Sequence, residues 1–520
     1  MKLLFLCLVV GVLSCCEAYK ILVVYPMPGK SHSILGDGIV RYLLKDGHEV
    51  TYVSPFSYKP ASPKLRLVDV SDNKKLLPGK KKNYNIKSKF IFLQATIENE
   101  NVQKILNDPN ESFDVVIAEW MFSDILSGLA AVYNCPFIWV SSADVHWAIL
   151  KLIDQPSNPA FSGDLIDSNV PPFSFGTRIL ELYTQLKVLT MKFLYFDGME
   201  KRIYERLLGP IVAKRGRTLP NYYDVQYNAS LVLANSHVSM GQAIALPQNY
   251  IPIGGYHIND RIETLPDDLK KILDTAKNGV IYFSMGSNLK SKDIPKEIKE
   301  SLLKMFSELK QTVLWKFEED LPNKPSNVHI LKWAPQPSIL SHPNTILFIT
   351  HGGLLSTTET VHFGVPIIGI PVFADQFTNV VRAVKRGFAL RVDLSYTMAD
   401  ELKLAIKEIT SNPKLLIINC YNINYTFLRY TKTVKELSFI YHNRPVAPGV
   451  ELVHWVKHVI ETRGAAHLRS PALDLPLYQR LYLDLVALIL VITPIIIKIS
   501  KLLLCKYCAK SGKNSVKKNN

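Results

Sequence analysis

The feature that most constrains the fold is an apolar, strand-like run that ends in a glycine turn. In Phe348-Ile-Thr-His-Gly-Gly-Leu-Leu-Ser-Thr-Thr-Glu359, strand-like residues are followed by His351, two glycines and a hydroxyl-rich stretch that suits a helix. Buried parallel strands are continuous apolar runs, and each needs a crossover, usually a helix, before the next strand. Ligands bind such sheets beyond the carboxyl ends of the strands. The run therefore predicts a parallel α/β sheet with a binding site at the glycine turn.

The same alternation of strand and helix recurs through most of the chain. Lys20 to Tyr25, a helix from about Ile34 to Lys45, and Glu49 to Val53 form a βαβ pattern, with a loop from Pro26 to Ser33. Further strands are predicted at Phe113 to Ala118, Phe137 to Ser141, Gly279 to Phe283, Thr312 to Lys316, Val328 to Leu331, Ile346 to Ile349 and Ile367 to Ile370.

A chain of 520 residues is too long for one hydrophobic core. Around 251–268, prolines, glycines and acids replace the periodic pattern, which suits a linker. We therefore predict two Rossmann-like, doubly wound α/β domains facing a cleft, at 19–250 and 251–445, followed by return and juxtamembrane helices at 446–480. The helical pattern from about Ile149 to Leu219 is rich in aromatic residues and is predicted to line an apolar pocket.

Both ends of the chain carry targeting signals. Residues 1–18 combine a lysine, an apolar run and a small residue at Ala18, which is the pattern of a cleaved secretory signal peptide. Residues 481–504 are apolar enough for a transmembrane helix, and the basic tail at 505–520 has no acid. The positive-inside rule then predicts a single-pass type I protein with its body in the lumen. The last residues, Lys517-Lys518-Asn-Asn, resemble the dilysine signal that returns proteins to the endoplasmic reticulum.

Charge and cysteine content exclude several classes of protein. The net charge of +16 is concentrated in the tail and in a lysine cluster at 74–89, and a lumenal body meets no nucleic acid. Only Cys135 and Cys420 lie in the body, so the chain is no disulfide scaffold, and no metal-ligand spacing occurs. The predicted N-glycosylation sites are Asn110, Asn228 and Asn424.

The residues around the glycine turn suit a nucleotide. Gly352 and Gly353 let the backbone approach an anion, and the helix that follows presents N–H groups to phosphate. His351 and Ser356 are placed to hydrogen-bond a diphosphate, and Glu359 is placed to accept both hydroxyls of a ribose. At the next strand end, Asp375 and Gln376 suit sugar hydroxyls, and Trp333 is an aromatic platform for a base.

These motifs together resemble a known family. Trp333-Ala-Pro-Gln336, Phe-Ile-Thr-His-Gly-Gly, Glu359, Gly364-Val-Pro366, Pro371 and Asp375-Gln376 look like the signature of the UDP-glycosyltransferases, glycosyltransferase family 1, which have the GT-B fold. The resemblance extends over nearly the entire chain, and the wording of Leu354-Leu355-Ser-Thr-Thr looks most like the insect, membrane-bound branch.

The resemblance implies roles for the donor-binding residues. Trp333 would stack on uracil, Gln336 and Glu359 would hold ribose or base edges, and His351 and Ser356 would hold the diphosphate, with Asp375 and Gln376 on the sugar. Phe283-Ser-Met-Gly-Ser287 resembles the second phosphate loop, in which Gly286 and Ser287 would offer N–H groups. Leu355 is a departure, because many relatives have asparagine there, so one donor contact would be missing.

A hydroxyl nucleophile needs a general base. His32 lies in the loop after the first strand, which resembles the catalytic loop of the family. The aspartate that orients this base in the family corresponds to Glu119, with Asp124 as the nearby alternative, and the sequence leaves both open. Glu119 is the preferred assignment.

The sequence thus predicts an enzyme that transfers a sugar with inversion from a UDP-sugar to a hydroxyl of a small lipophilic acceptor, as in detoxification or in hormone or pigment conjugation. Glucose is favoured over glucuronate. The UDP-sugar is a co-substrate, and no cofactor or metal is expected because fixed dipoles at the helix end by Gly353 meet the leaving charge. The alternative is a non-catalytic, membrane-anchored carbohydrate- or lipophile-binding protein with a GT-B fold. The acceptor and the oligomeric state, a homo-oligomer included, are left open.

Overall fold

We describe the fold from a computed structural model, which covers residues 18–76, 86–153, 155, 157–165, 167–287, 289, 293–410 and 426–516. The predicted signal peptide apart from Ala18, the glycosylation site Asn424, and Lys517 and Lys518 of the dilysine signal lie outside the described residues. Contacts divide the chain into a body that ends at Leu468 and a carboxyl-terminal unit from Arg469 onward.

The first sheet of the body has seven strands: β1 (Lys20–Val24), β2 (Glu49–Ser54), β3 (Leu65–Asp69), β4 (Val115–Glu119), β5 (Phe137–Ser141), β6 (Leu231–Ala234) and β7 (Tyr250–Pro252). Their order is β3-β2-β1-β4-β5-β6-β7, and every pair is parallel. Strand β7 crosses the domain boundary predicted at 250, because its pairing with β6 continues to Pro252.

The second sheet has six strands: β8 (Val280–Ser284), β9 (Thr312–Lys316), β10 (Val328–Leu331), β11 (Thr345–Thr350), β12 (Ile367–Gly369) and β13 (Ala389–Arg391). Their order is β10-β9-β8-β11-β12-β13, again all parallel. The prediction of two doubly wound α/β sheets is confirmed.

The helices of the body connect these strands and cover both faces of each sheet. In chain order they are α1 (Lys30–Lys45), α2 (Ile86–Glu98), α3 (Glu100–Asn107), α4 (Gly128–Tyr133), α5 (Trp147–Lys151), α6 (Phe175–Met191), α7 (Asp197–Lys214), α8 (Tyr222–Gln226), α9 (Asp267–Thr275), α10 (Lys296–Ser307), α11 (Gln336–Leu340), α12 (Leu354–Phe363), α13 (Gln376–Lys385), α14 (Met398–Thr410), α15 (Thr426–His442) and α16 (Pro448–Glu461). A π-helical turn, Lys192–Phe196, joins α6 to α7.

Burial on both faces explains the apolar runs of the strands. Along β1, Leu22 and Val24 pack into one core cluster, whereas Ile21 and Val23 pack into the cluster on the other face. This is the alternation that a strand imposes on its side chains. Helix α16 returns to the first sheet, where Leu452 and its apolar neighbours join the second of these clusters.

The strand order fixes where a ligand can bind. In each sheet the order changes direction once, between β1 and β4 in the first and between β8 and β11 in the second. Crossover helices leave such a switch point on opposite faces, which opens a crevice at the carboxyl ends of the two strands. The loops after β1, β4, β8 and β11 are therefore the places to look for chemistry.

The carboxyl-terminal unit contains α17 (Leu477–Arg480) and α18 (Leu483–Val516). Within α18, the 24-residue span Leu483–Lys506 contains an 18-residue stretch with a mean hydropathy of 2.3, none of which is buried. This helix is long and apolar enough to cross a bilayer, so a candidate membrane anchor lies where 481–504 was predicted.

Candidate active site

His32 and Glu119 meet at the switch point of the first sheet. Glu119 is the last residue of β4 and is fully buried, and its Oε1 is hydrogen-bonded to Nδ1 of His32. His32 was expected in a loop, but it lies in the first turn of α1, because Gly29 takes the extended conformation of an N-cap and the helix begins at Lys30. The His32 side chain is 22% exposed, so a ligand can reach the ring, and Nε2 is the nitrogen that is not bonded to Glu119.

The electrostatic surroundings of His32 come from both sheets. Burial lowers the pKa of His32, but the charge of Glu119, the hydrogen bond to it and the charge of Asp375 together raise that pKa above its ordinary value. Asp375 lies in the second sheet's half of the body, between β12 and α13. Its charge therefore acts on the imidazole from the opposite side of the cleft. Burial in turn raises the pKa of the Asp375 carboxyl, against the effects of Asn379 and His32.

A third residue of this group was missed by sequence reasoning. Ser142 donates a hydrogen bond from its hydroxyl to Oε1 of Glu119, the same oxygen that faces His32. Ser142 follows β5, which pairs with β4, so its position one residue beyond a neighbouring strand was the signal that could have found it. The carboxylate is thus held from two sides.

Asp124, the alternative partner for His32, is used elsewhere. Its Oδ2 accepts hydrogen bonds from Nζ of Lys192 at 2.7 Å and from Nε2 of Gln226 at 2.5 Å, and its Oδ1 accepts one from the indole of Trp120 at 2.9 Å. Burial raises the pKa of Asp124, but the charge of Lys192 and the hydrogen bonds outweigh burial and hold that pKa below its ordinary value. Asp124 therefore belongs to a buried structural cluster, and the structure does not bring it to His32.

The same lysine faces two further acids. Its Nζ lies 3.2 Å from Asp197 and 3.8 Å from Glu200. Burial and the charge of Asp124 raise the pKa of Glu200 to about 7. The cluster joins the end of β4 to the π-helical turn and α7.

We expect Asp124→Asn to lower the free energy of unfolding by about 1–3 kcal/mol, since it leaves the Lys192 ammonium without its closest buried carboxylate, although Asp197 and Glu200 stay near it. Urea unfolding of the detergent-solubilised protein, followed by tryptophan fluorescence, measures the change. Asp72→Asn is the matched control, because Asp72 pairs with Lys75 on the open surface and such pairs contribute little. A selective loss of turnover at normal stability would contradict the structural role.

The two glycine loops of the second sheet enclose His351. A Cβ at Gly286 would lie 2.7 Å from Cε1 of His351, and a Cβ at Gly353 would lie 2.7 Å from its Nε2. Gly286 also has a φ of +77°, which favours glycine. The N–H of Gly286 donates to Oγ of Ser284 at 3.3 Å.

The charge beside these loops comes from a lysine that sequence reasoning missed. Burial and the nearby Lys316 lower the pKa of His351 to about 4, so the imidazole is neutral at pH 7. Lys316 ends β9, and its Nζ donates to the carbonyl of Gly286 at 3.0 Å and pairs with Glu318 at 2.6 Å. The position of Lys316 at the carboxyl end of β9 was the signal that could have predicted a cation beside the glycine loop.

A connected network lies at the start of α11 and along α12. Nε2 of Gln336 donates to Oε2 of Glu359 at 2.6 Å and to Oγ of Ser356 at 3.1 Å, and the Tyr282 hydroxyl donates to Oε1 of Gln336 at 3.3 Å. Trp333, three residues before this network, is 66% exposed, which is unusual for so large an aromatic side chain.

His257 is the other residue at this network that sequence reasoning missed. It is buried, and its Nε2 lies 3.6 Å from Oε1 of Glu359. Within the described part of the chain, neither of its ring nitrogens has a hydrogen-bond partner.

The turn before α13 fixes Asp375 and Gln376. Oε1 of Gln376 accepts hydrogen bonds from the N–H groups of Val372 and Phe373, at 2.9 and 3.1 Å. Oδ2 of Asp375 accepts one from Asn379 at 2.8 Å. Both side chains are therefore oriented before any ligand arrives.

Helix α13 also joins the two halves of the body. Oγ1 of Thr378 donates to the carbonyls of Leu165 and Asp167 at 3.0 and 2.8 Å, and Arg382 forms a buried ion pair with Asp144 at 2.7 Å. Leu355, the departure from the family pattern, packs against the core cluster of the first sheet. The site therefore has a partly exposed imidazole on one side and phosphate-type loops with an oriented carboxylate and amide on the other. Among the described residues, no group of three metal-ligating side chains is placed to hold a metal ion.

Comparisons with known proteins agree with this arrangement. A family model described as "UDP-glucoronosyl and UDP-glucosyl transferase" matches residues 74–519. "UDP-glucosyltransferase 2" of Dactylopius coccus is 31% identical over 536 residues, covering 100% of this chain and 99% of the relative. "UDP-glucuronosyltransferase 2B7" of Homo sapiens is 29% identical over 440 residues, covering 81% and 76%.

Solved structures show the same fold at low sequence identity. A UDP-glucosyltransferase from Polygonum tinctorium superposes with a TM-score of 0.57 at 16% identity, over 86% of this chain and 100% of that one. TcCGT1 in complex with UDP superposes with a TM-score of 0.56, also at 16% identity and with the same coverage. The fold is therefore GT-B. Because the family model and the relatives span most of the chain, the protein belongs to the family of UDP-glucuronosyl and UDP-glucosyl transferases and is an enzyme that transfers sugar from a UDP-sugar.

Proposed function

We propose that this enzyme transfers glucose from UDP-glucose, with inversion, to a hydroxyl of a small lipophilic acceptor. The reaction is a single in-line displacement: the acceptor oxygen forms a bond to the anomeric carbon as the bond to the UDP oxygen breaks. The acceptor proton goes to the enzyme, and UDP carries away the electron pair of the broken bond. The biological setting proposed is conjugation of xenobiotics, hormones or pigments.

The observation that carries the proposal is the pairing of His32 with Glu119 opposite Asp375. With Nδ1 held by Glu119, Nε2 of His32 is the nitrogen that takes the acceptor proton. Glu119 then stabilises the imidazolium that forms, as a carboxylate does for a base histidine. Because the pKa of His32 is raised, the ring is a stronger base than an isolated imidazole.

The UDP-sugar donor binds to residues that follow the carboxyl ends of the strands of the second sheet. Trp333 stacks on uracil, Gln336 and Glu359 hold ribose, and Asp375 with the amide NH₂ of Gln376 holds the glucose hydroxyls. The diphosphate is held by Gly353 at the start of α12, Ser356, Gly286, Ser287 and His351. Since His351 is neutral at pH 7, it acts as a hydrogen-bonding group, and Lys316 supplies the positive charge near the leaving phosphate.

We further propose that the enzyme is anchored in the endoplasmic reticulum membrane as a single-pass type I protein with its body in the lumen. The apolar helix Leu483–Lys506 and the lysines that follow it support this orientation. Asn110 and Asn228 are exposed, as N-glycosylation requires, and they stay predictions.

We expect the protein in microsomal membranes to release UDP from UDP-glucose and a simple phenol about 10-fold faster than from UDP-glucuronate and the same phenol, because pockets discriminate related substrates by factors of this order. The support for glucose is the glucosyltransferase that matches the whole chain. UDP release is measured with and without acceptor, and mass spectrometry identifies the conjugate. A preference for UDP-glucuronate would contradict the assigned sugar. Acceptor-independent release with every donor would contradict transfer to phenols.

A further inference from the structure

The imidazole of His257 is a buried polar group that neither the fold nor the catalytic pairing of His32 accounts for. Its side chain is 1% exposed, and among the residues that the structure describes neither ring nitrogen has a hydrogen-bond partner. Native proteins pair nearly all buried polar groups, because an unpaired one loses its hydrogen bonds to water without replacement. A buried imidazole in this state therefore calls for a functional explanation.

Helix α1 holds the backbone on both sides of His257. The residue lies in the segment 253–258, between β7 and α9, which we call the linker turn. Nη2 of Arg41 donates to the carbonyl of Tyr256 at 2.8 Å and to that of Ile258 at 3.4 Å. A Cβ at Gly38 would lie 3.1 Å from Cα of His257, so the helix packs directly against this residue. The same helix carries the proposed base, His32, in its first turn.

The other side of the linker turn is held by the end of α15 and the residues after it. Gly255 has a φ of +97°, and a Cβ there would lie 1.6 Å from the hydroxyl of Tyr441. Both terminal nitrogens of Arg444 donate to the carbonyl of Gly254 at 3.2 Å. The backbone that carries His257 is therefore fixed from two directions, and the position of its imidazole is fixed with it.

The fixed imidazole faces one oxygen of the Glu359 carboxylate. Nε2 of His257 lies 3.6 Å from Oε1, whereas Oε2 accepts the hydrogen bond from Gln336 at 2.6 Å. A proton on Nε2 places an N–H donor toward Oε1, whereas a proton on Nδ1 alone would turn two lone pairs toward each other. A shift of about 0.5 Å brings the pair to ordinary hydrogen-bond length.

We propose that His257 is a positioning residue for the ribose of the donor, acting through Glu359. The imidazole holds Oε1 while Gln336 holds Oε2, so the carboxylate keeps one orientation. A carboxylate has about four acceptor positions, and the two that remain receive the ribose hydroxyls. Because the His257 side chain is buried, it does not touch the donor itself. This inference rests on the proposed role of Glu359 in holding ribose.

The test measures the Kd of UDP and of 2′,3′-dideoxy-UDP, which lacks both ribose hydroxyls, by isothermal titration calorimetry of the detergent-solubilised full-length protein. We expect His257→Leu to raise the Kd of UDP about 10-fold, as for residues coupled in one network, and to change the Kd of the dideoxy analogue less than about twofold. The KM for UDP-glucose should rise with the Kd while kcat stays within about twofold, because ribose is held equally in the ground and transition states.

Two further variants separate positioning from a loss of structure. His257→Gln, whose amide N–H can replace that of Nε2, should keep the Kd of UDP within about threefold of the natural value. His48→Leu is the matched control, because His48 is equally buried and faces Asp46 at 3.1 Å, but it precedes β2 at the opposite edge of the sheet. It should leave both Kd values unchanged. Equal weakening of UDP and the dideoxy analogue in His257→Leu would reduce His257 to a structural role and overturn the proposal.

Glu359→Ala distinguishes failure of this inference from failure of the proposed donor site. It should abolish the difference in Kd between UDP and the dideoxy analogue. If it does so while His257→Leu leaves that difference intact, the positioning role is wrong and the donor site stands. If the difference persists in Glu359→Ala, Glu359 does not hold ribose, and the role of His257 fails with it.

Discussion

His32→Ala is expected to lower the rate of sugar transfer by about 10²–10⁴-fold, the contribution of a positioned general base, and to leave the affinity for UDP within about twofold. The rate falls because Ser142, which is also hydrogen-bonded to Glu119, offers only a neutral hydroxyl and cannot replace the imidazole as a base. UDP binding survives because the residues proposed to hold UDP follow the strands of the second sheet. Turnover is measured as UDP release with UDP-glucose and a phenol, and UDP affinity by isothermal titration calorimetry.

His454→Ala is the control for this substitution. His454 is an exposed histidine on α16, outside the cleft, and the same change there should leave both quantities unaltered. Loss of UDP binding together with turnover in His32→Ala would contradict the assignment, since it would mean that His32 supports the donor site or the fold. Retention of most of the rate would exclude His32 as the base.

The sheets and the glycine turns could be predicted because their signals are local. A strand buried on both faces, such as Val115 to Ala118, is a continuous apolar run whatever surrounds it. The turn at Gly352 needs a φ of +79° and leaves no room for a Cβ, which would lie 2.2 Å from Val380. Only glycine satisfies both conditions, so the turn is visible in the sequence as a glycine at this position.

The partner of His32 could not be chosen from the sequence because the choice is made by distant residues. Glu119 and Asp124 both follow the apolar part of β4. Lys192 and Gln226, far along the chain, capture Asp124, whereas Ser142 and His32 converge on Glu119. No local pattern records those contacts.

The orientation of α6 shows the same limit in another form. Periodicity reveals that a helix has an apolar stripe, but it does not say which stripe faces the core. The usual assumption, apolar side inward, fails here: Glu181 and Gln185 are the buried residues of α6, and the Glu181 carboxylate accepts a hydrogen bond from the N–H of Asp164. Periodicity also failed to locate the start of α1. The helix begins at Lys30, but the residues from Lys30 to Ser33 show no apolar periodicity, so the sequence predicted a start at about Ile34.

The second large effect is expected for Glu119→Gln, which separates the orientation of the base from its basicity. The maximal rate should fall about 10²–10⁴-fold, because the neutral amide cannot stabilise the imidazolium as the carboxylate does. Glutamine keeps the size of the side chain and an oxygen that can still accept from His32 and Ser142. The fold should therefore be retained, and urea unfolding checks that it is.

The pH dependence of Glu119→Gln is the sharper test, and its sign follows from the causes of the His32 pKa. The base is active only when neutral, so kcat/KM rises with pH through the pKa of His32 in the free enzyme. In the natural protein Glu119 and Asp375 raise that pKa above 6.5 against the effect of burial. Removing the Glu119 charge leaves burial opposed by Asp375 alone, so the acid limb should move to lower pH. Asp124→Asn, which removes a buried acid from the loop after β4 without changing a contact of His32, should leave the acid limb in place. A limb that stays fixed or moves to higher pH in Glu119→Gln would show that Glu119 does not set the basicity of His32.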